Sequence, residues 1–287
     1  MIRRLRSCRK RINNSEEEEE GNNNNSSSSK SSITTSTTTT RTTMITLDIR
    51  ETILDEIVVK EIADLILLDE DTSVDTVHLD DCGAYFNKET SRLAIALGYV
   101  KNVRLSETPT FLSHSFLDTL FVNATRLQNL KIQDRLQHGF QIQALSNGLA
   151  MNHTLKCLDL SKSRIDHDDI VSLFPEDFGF VSSSIESLIL RSLNLGDEQV
   201  THIANSLKNN QSIRKLDISF NQCRNMDSLS CCNNLREIIV GYQFIWQSPK
   251  INISGFANAL QQQNGDSSTT SSSFLTTLAL PRNKARR

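Results

Sequence analysis

A phrase of the form L-x-x-L-x-L-x-x-N/C, with L standing for any aliphatic residue, recurs along most of this 287-residue chain and leaves few folds open to it. It reads at Val74-Val77-Leu79-Cys82, Val100-Val103-Leu105, Leu127-Leu130-Ile132 and Leu155-Leu158-Leu160. It continues at Ile185-Leu188-Leu190, Ile213-Leu216-Ile218-Asn221, Leu235-Ile238-Val240 and Leu275-Leu278-Leu280-Asn283. Most starts lie about 26 to 30 residues apart, a period that belongs to stacked supersecondary units.

Within the phrase, x-L-x-L predicts a short strand whose alternate side chains point inward. Strands stacked in this way form a parallel sheet backed by the chain's own leucine-filled interior. The turn after each strand leaves backbone polar groups inside. A buried Asn such as Asn221 or Asn283 can bond them from its side chain, and Cys82 can fill the same place less fully. Arg135, Ser163 and Leu193 stand where Asn or Cys is expected in the third, fourth and fifth copies.

Between the strands a second apolar pattern appears at helical spacing. It is carried by Leu93 and Leu97, by Phe116, Leu117, Leu120 and Phe121, and by Leu145 and Leu149. Val200, Ile203, Ala204 and Leu207 continue it, as do Phe256, Ala259 and Leu260. These predict amphipathic helices packed on the sheet. Asp168-Asp169 and Asp197-Glu198 precede two of them, where a helix N-terminus favours negative charge. The unit from Ile213 to Asn234 is too short for a full helix and is expected to be extended or 3₁₀ there.

On these residues the chain resembles the leucine-rich-repeat proteins. Ile185-x-x-Leu188-x-Leu190 through Ile203, Leu207 and Asn210 is similar to the long repeats of ribonuclease-inhibitor-like members. Leu216-Asp-Ile-Ser-Phe-Asn221 to Leu235 is similar to the short repeats of phosphatase-regulator-type members. The resemblance covers about three quarters of the chain. It implies an α/β fold, a leucine-rich-repeat solenoid or horseshoe with a concave parallel β-sheet and convex helices. It also implies protein partners gripped on the concave sheet, and no cofactor.

Three domains are expected: residues 1–43 as a disordered low-complexity tail, 44–73 as a helical N-terminal cap, and 74–287 as a solenoid of about eight repeats. The tail runs from a basic cluster (Arg3, Arg4, Arg6, Arg9, Lys10, Arg11) through Glu16–Glu20 into an Asn/Ser/Thr tract, with little to bury. The basic cluster is either a nuclear-localisation signal, a transit-peptide start or a solvated extension without an address; the glutamate run argues against the transit peptide. The cap is read as a helix from Asp48 to Leu68, because an open stack needs its apolar end covered. No capping helix is expected after Leu280, so either the last strand is left at an edge guarded by charge or the sequence is incomplete.

No G-x-x-x-x-G-K-[ST], G-x-G-x-x-G or G-x-S-x-G motif is present. No His or Cys cluster has zinc-ligand spacing, so neither a metal nor a catalytic site is expected and the chain is read as a non-enzyme. His167 among Asp166, Asp168 and Asp169 could serve as a base or ligand, but acids at a helix start explain it. Cys231-Cys232 is read as two small residues in a core-facing turn, against a redox pair. Several N-x-[ST] triplets, among them those at Asn123, Asn152, Asn210 and Asn252, are expected by chance in so polar a chain. Trp246 either anchors a partner or covers the loop from Gln247. Free cysteines and the lack of an apolar leader or a run of roughly 20 apolar residues predict an intracellular protein, cytoplasmic or nuclear, without a membrane segment.

The phase of the phrase places His78, Arg104, Lys131, Asp159, Ile189, Asp217, Ile239 and Ala279 in one outward column. Its polar members His78, Arg104, Lys131, Asp159 and Asp217 are the candidate partner-binding residues. Mixed charges in that column, with a net formal charge of −3 overall, point to a protein partner rather than nucleic acid. The expected function is therefore an interaction scaffold or adaptor, monomeric by itself. Two alternatives are a GTPase-activating regulator of a small GTPase and a fragment of a larger receptor-type leucine-rich-repeat protein.

Overall fold

The computed structural model describes residues 44–51, 53–68, 73–84, 88–106, 112–133, 139–176, 180, 182–241, 252, 254–255 and 277–279. The expected tail (1–43), Cys8, Arg135, Trp246, the stripe from Phe256 to Leu260 and Asn283 lie outside the described residues. From Met44 onward the chain forms one compact unit.

The unit opens with β1 (Met44–Arg50), β2 (Ile53–Leu54), α1 (Glu56–Leu68), β3 (Ser73–Asp80), β4 (Gly83–Ala84) and α2 (Lys88–Gly98). Then come β5 (Asn102–Ser106), α3 (His114–Val122), β6 (Asn129–Gln133), α4 (Gly139–Met151), β7 (Cys157–Asp159) and α5 (His167–Leu173). It continues with β8 (Ser187–Ile189), α6 (Asp197–Leu207), β9 (Lys215–Asp217), a 3₁₀ turn (Asp227–Cys231), β10 (Glu237–Ile239) and β11 (Thr277–Ala279). Nine strands form one parallel sheet in the order β1-β3-β5-β6-β7-β8-β9-β10-β11, and β2 pairs with β4 beside it. Six α-helices are present among the described residues, and successive helices pack on one another. The fold is α/β with an all-parallel sheet.

The buried residues are the ones the aliphatic phrase selects. Val77, Leu79, Leu105, Ile132, Leu158, Leu160, Leu188, Leu190, Leu216 and Ile238 are fully buried, whereas His78, Arg104, Lys131, Asp159, Ile189 and Ile239 between or beside them are partly open. Phe116, Leu117, Leu120 and Phe121 of α3 and Val200, Ile203, Ala204 and Leu207 of α6 supply the helical side of the same core. At one contact the packing leaves no room for a side chain: a Cβ on Gly148 of α4 would stand 2.2 Å from the Phe121 ring.

The ladder continues past the strands into the turns. Lys162 N–H donates to Arg191 O at 2.8 Å, and Ser192 N–H donates to Ser219 O at 3.1 Å. Lys162, Ser192 and Phe220 each lie three residues beyond aligned strand ends and take left-handed φ values of 62°, 56° and 61°. Behind this turn Asn221 is fully buried and does what its place in the phrase predicts. Its Oδ1 accepts from Leu193 N and Leu195 N at 2.9 and 3.2 Å, while its Nδ2 donates to Leu190 O and Ile218 O at 2.8 and 2.7 Å. Cys82 Sγ reaches Ile49 O and Asp80 O at 3.5 and 3.4 Å, and Ser163 Oγ donates to Ile132 O at 2.9 Å. Thus Ser163 is a smaller occupant of the same place, and Leu193 needs no polar side chain because Asn221 bonds its amide.

Three features differ from expectation. Met44–Arg50 is a strand paired with β3 rather than the start of a helix, and only Glu56–Leu68 is helical. The physical reason is local: Ile45, Leu47 and Ile49 alternate with Thr46, Asp48 and Arg50, a period of two that suits a half-buried strand. The sequence pattern sets Ile53, Ile57, Glu61 and Leu65 alternating with Leu54, Val58 and Ile62 around this segment, yet the buried residues of α1 are Val58, Val59, Ile62 and Ala63, and Ile57 is 59% exposed. Finally, two of the N-x-[ST] triplets are structural corners rather than chance. Asn152 Oδ1 accepts from Thr154 N and Leu155 N at 3.0 and 2.8 Å, and Asn210 Oδ1 accepts from Ser212 N and Ile213 N, both at 2.9 Å. Each Asn also donates back to the preceding corner, at Ala124 O and Ser182 O.

Candidate interaction face

Strand alternation sends one set of side chains into the core and leaves the other on an open face of the sheet. Pairing aligns Asp48, His78, Arg104, Lys131, Asp159, Ile189, Asp217, Ile239 and Ala279 as successive register partners across all nine strands. All five sequence-derived candidates, His78, Arg104, Lys131, Asp159 and Asp217, therefore stand in one row, and Asp48 extends it at the front.

The row is not a set of bare charges. Arg104 Nε lies 3.1 Å from Asp80 Oδ1, close enough for ion pairing although not aligned as a hydrogen bond. Lys131 Nζ meets Asp159 Oδ2 at 2.9 Å, and Lys215 Nζ meets Glu237 Oε1 at 3.0 Å. At the front Arg50 grips both oxygens of Asp48 at 2.8 Å. That bidentate bond holds the Asp48 carboxyl below its usual range, and it raises the Arg50 guanidinium in turn. Five cations (Arg50, Arg104, Lys131, Arg191, Lys215) face five carboxylates (Asp48, Asp80, Asp159, Asp217, Glu237), so the face carries no net charge from them. Taken alone, His78, Arg104 and Lys131 would make the front half of the column basic, and Asp80 and Asp48 offset that charge.

Two of the aspartates also shape the backbone. Asp159 Oδ1 accepts from Ser161 N, and Asp217 Oδ1 accepts from Ser219 N, each at 2.9 Å; Ser219 Oγ adds a second bond to Asp217 at 2.6 Å. Each Asp ends its strand by satisfying the amide two residues on. The Leu-Asp-Leu-Ser161 and Leu-Asp-Ile-Ser219 segments are the sequence signal for this. Beside Asp217, the Arg191 guanidinium lies 5.1 Å from the centre of the Phe220 ring, a cation–π distance.

Across the molecule from chain position alone, the His167 cluster resolves into helix capping. Asp166 caps α5, accepting from Asp169 N at 2.9 Å, and Asp169 returns the bond to the Asp166 amide. Burial raises the Asp169 carboxyl above its usual value. A hollow of about 370 Å³ there is lined by His167, Glu176, Asp197, Glu198, Thr201 and His202. Two of its groups are engaged in structure, His202 Nδ1 bonding Glu176 at 2.9 Å and Asp197 Oδ1 accepting from Asn225 N at 2.8 Å, while His202 Nε2 is buried without a hydrogen-bond partner. Among the described residues no group of three or more His, Cys, Asp or Glu is placed to hold a metal ion. Cys231 and Cys232 are both free thiols turned toward Ala204 O, and burial raises Cys232. No described helix is long and apolar enough to cross a membrane.

The fold and face define an α/β protein whose parallel sheet presents one continuous, charge-balanced surface. No family model matches the chain, and no curated protein matches it either.

Proposed function

We propose that this chain is a leucine-rich-repeat solenoid acting as a non-enzymatic scaffold, which holds a protein partner on the open face of its sheet. The observation that carries this reading is the register of the nine strands, which lines up Asp48 through Ala279 so that one ligand can touch many units at once. Charge balance on the face favours a protein over a polyanion, because Arg50, Arg104, Lys131, Arg191 and Lys215 each already have a carboxylate beside them. The aliphatic phrase and the buried Asn221 behind its turn support the repeat assignment.

The test is affinity capture with the full chain, followed by comparison of two double variants. Arg104→Gln with Lys131→Gln alters the face; Asp168→Gln with Glu198→Gln alters exposed helix positions. Loss of the captured protein with the first pair alone, at unchanged melting temperature, is the expected result. Equal capture by both pairs, or loss with the helix pair alone, overturns the assignment of the face.

A further inference from the structure

The row changes character toward its far end. Ile189 and Ile239 flank Asp217 as its register partners on either side. They are partly open, while Asp217 between them is 6% exposed. Two strand spacings put the isoleucines about 10 Å apart. Asp217 is thus the floor of a shallow recess with aliphatic walls.

The floor is half satisfied. Both Ser219 bonds go to Asp217 Oδ1. Oδ2 has Arg191 Nε at 3.8 Å, outside hydrogen-bond range. The Arg191 guanidinium lies over the ring of Phe220, which stands three residues after Asp217 at the left-handed turn. The recess therefore offers one carboxylate oxygen with an open acceptor position, and that charge is already balanced by a cation nearby. A second cation would meet Arg191, so the fitting group is a neutral donor on an apolar body. Its width suits one ring.

Building on the reading of the open face as a protein-binding surface, we propose that the recess of Ile189, Asp217 and Ile239 takes a tyrosine side chain of the partner. The ring lies between the two isoleucines and the phenol donates to Asp217 Oδ2. Tyrosine combines a large apolar body with a polar tip, which is why it is favoured in interfaces.

The test uses the full chain with isoleucine methyl groups labelled for NMR, titrated with N-acetyltyrosinamide and separately with N-acetylphenylalaninamide. The expected result is that the Ile189 and Ile239 methyl signals move together with the tyrosine amide, and that the phenylalanine amide binds about tenfold more weakly, as loss of a charge-assisted hydrogen bond requires. Asp217→Asn, which replaces the acceptor with a donor at the same shape, abolishes the difference between the two amides while leaving the remaining methyl signals in place. Should those remaining signals move instead, Ile239→Ala provides the second reading: weaker binding of both amides, with the tyrosine preference kept. Equal response to the two amides, or shifts spread over isoleucines elsewhere, overturns the proposal. If the Arg104 and Lys131 variants release the captured protein while the recess ignores tyrosine, the face stands and the recess falls. If the amides bind as expected while those variants keep the protein, the recess stands and the wider face falls.

Discussion

Asn221 Oδ1 accepts the amide hydrogen of Leu193 at 2.9 Å across 28 residues of chain, joining the turn after β9 to the turn after β8. The same side chain bonds Leu195 N, Leu190 O and Ile218 O, so one amide group satisfies two donors and two acceptors in a place water does not reach.

Replacing Asn221 with Ala leaves those groups buried and unpaired, at a cost of about 3 kcal/mol or more. Gln222→Ala, at the next and exposed position, serves as the reference and is expected to fall within about 0.5 kcal/mol of the parent. Urea melts of the two variants decide the matter; equal midpoints would refute the role given to Asn221.

Leu158, Leu188 and Leu216 are each fully buried, and truncation of any one to Ala should cost about 2–5 kcal/mol. Lys156 and Glu186 form an exposed pair at 3.0 Å, and changing either should cost under about 1 kcal/mol. Denaturation midpoints ranked the other way would mean that the strand phase is wrong.

Gly148→Ala should destabilise by about 1–3 kcal/mol through overpacking, since its Cβ lands on the Phe121 ring. Trimming that ring in the Phe121→Leu background should recover part of the loss. Purely additive effects in the double-mutant cycle would show that the two residues do not meet.

Much of this architecture is readable from residue order, and the unreadable parts have physical reasons. Leu158, Leu188, Leu216 and Asn221 fall where the phrase puts them because strand phase and turn chemistry are local. The row from His78 to Ala279 follows from the same phase, since positions of equal phase in successive strands become register partners. The first strand was missed because Met44–Arg50 has the alternation without the rest of the phrase. Asp80, Arg191 and Glu237 were missed as partners because they stand in neighbouring columns, and their ion pairs exist only once strands are set side by side. Asn152 and Asn210 look like ordinary polar triplets until the preceding corner is there to receive their amides.

Alkaline pH should weaken the fold through its buried thiols. Burial raises Cys223 from the ordinary 9.0 to about 12. Below pH 9 the thiol is neutral in folded and unfolded chains alike, and its contribution is fully present. Between about 9 and about 12 the unfolded chain has released the proton and the folded chain keeps it, so stability falls as pH rises. Cys232 is shifted in the same direction and for the same cause, and adds to the slope. Chemical denaturation from pH 8 to 11 should show the decline, and Cys223→Ala should flatten it. An unchanged slope in that variant would assign the decline to other groups.

Every strand of the main sheet bonds only the strands before and after it in that sheet's chain order, from β1 at one edge to β11 at the other. Cooperativity in such a sheet passes from neighbour to neighbour, because among the described residues each of its strands pairs only with the strands beside it. Hydrogen exchange should therefore be graded, fast at the two edges and slowest around β6 to β8. On the solenoid reading proposed above, a lesion at one strand should divide the sheet into two shorter ones instead of melting it at once, so a damaged chain should lose the surface on one side of the break and keep the other.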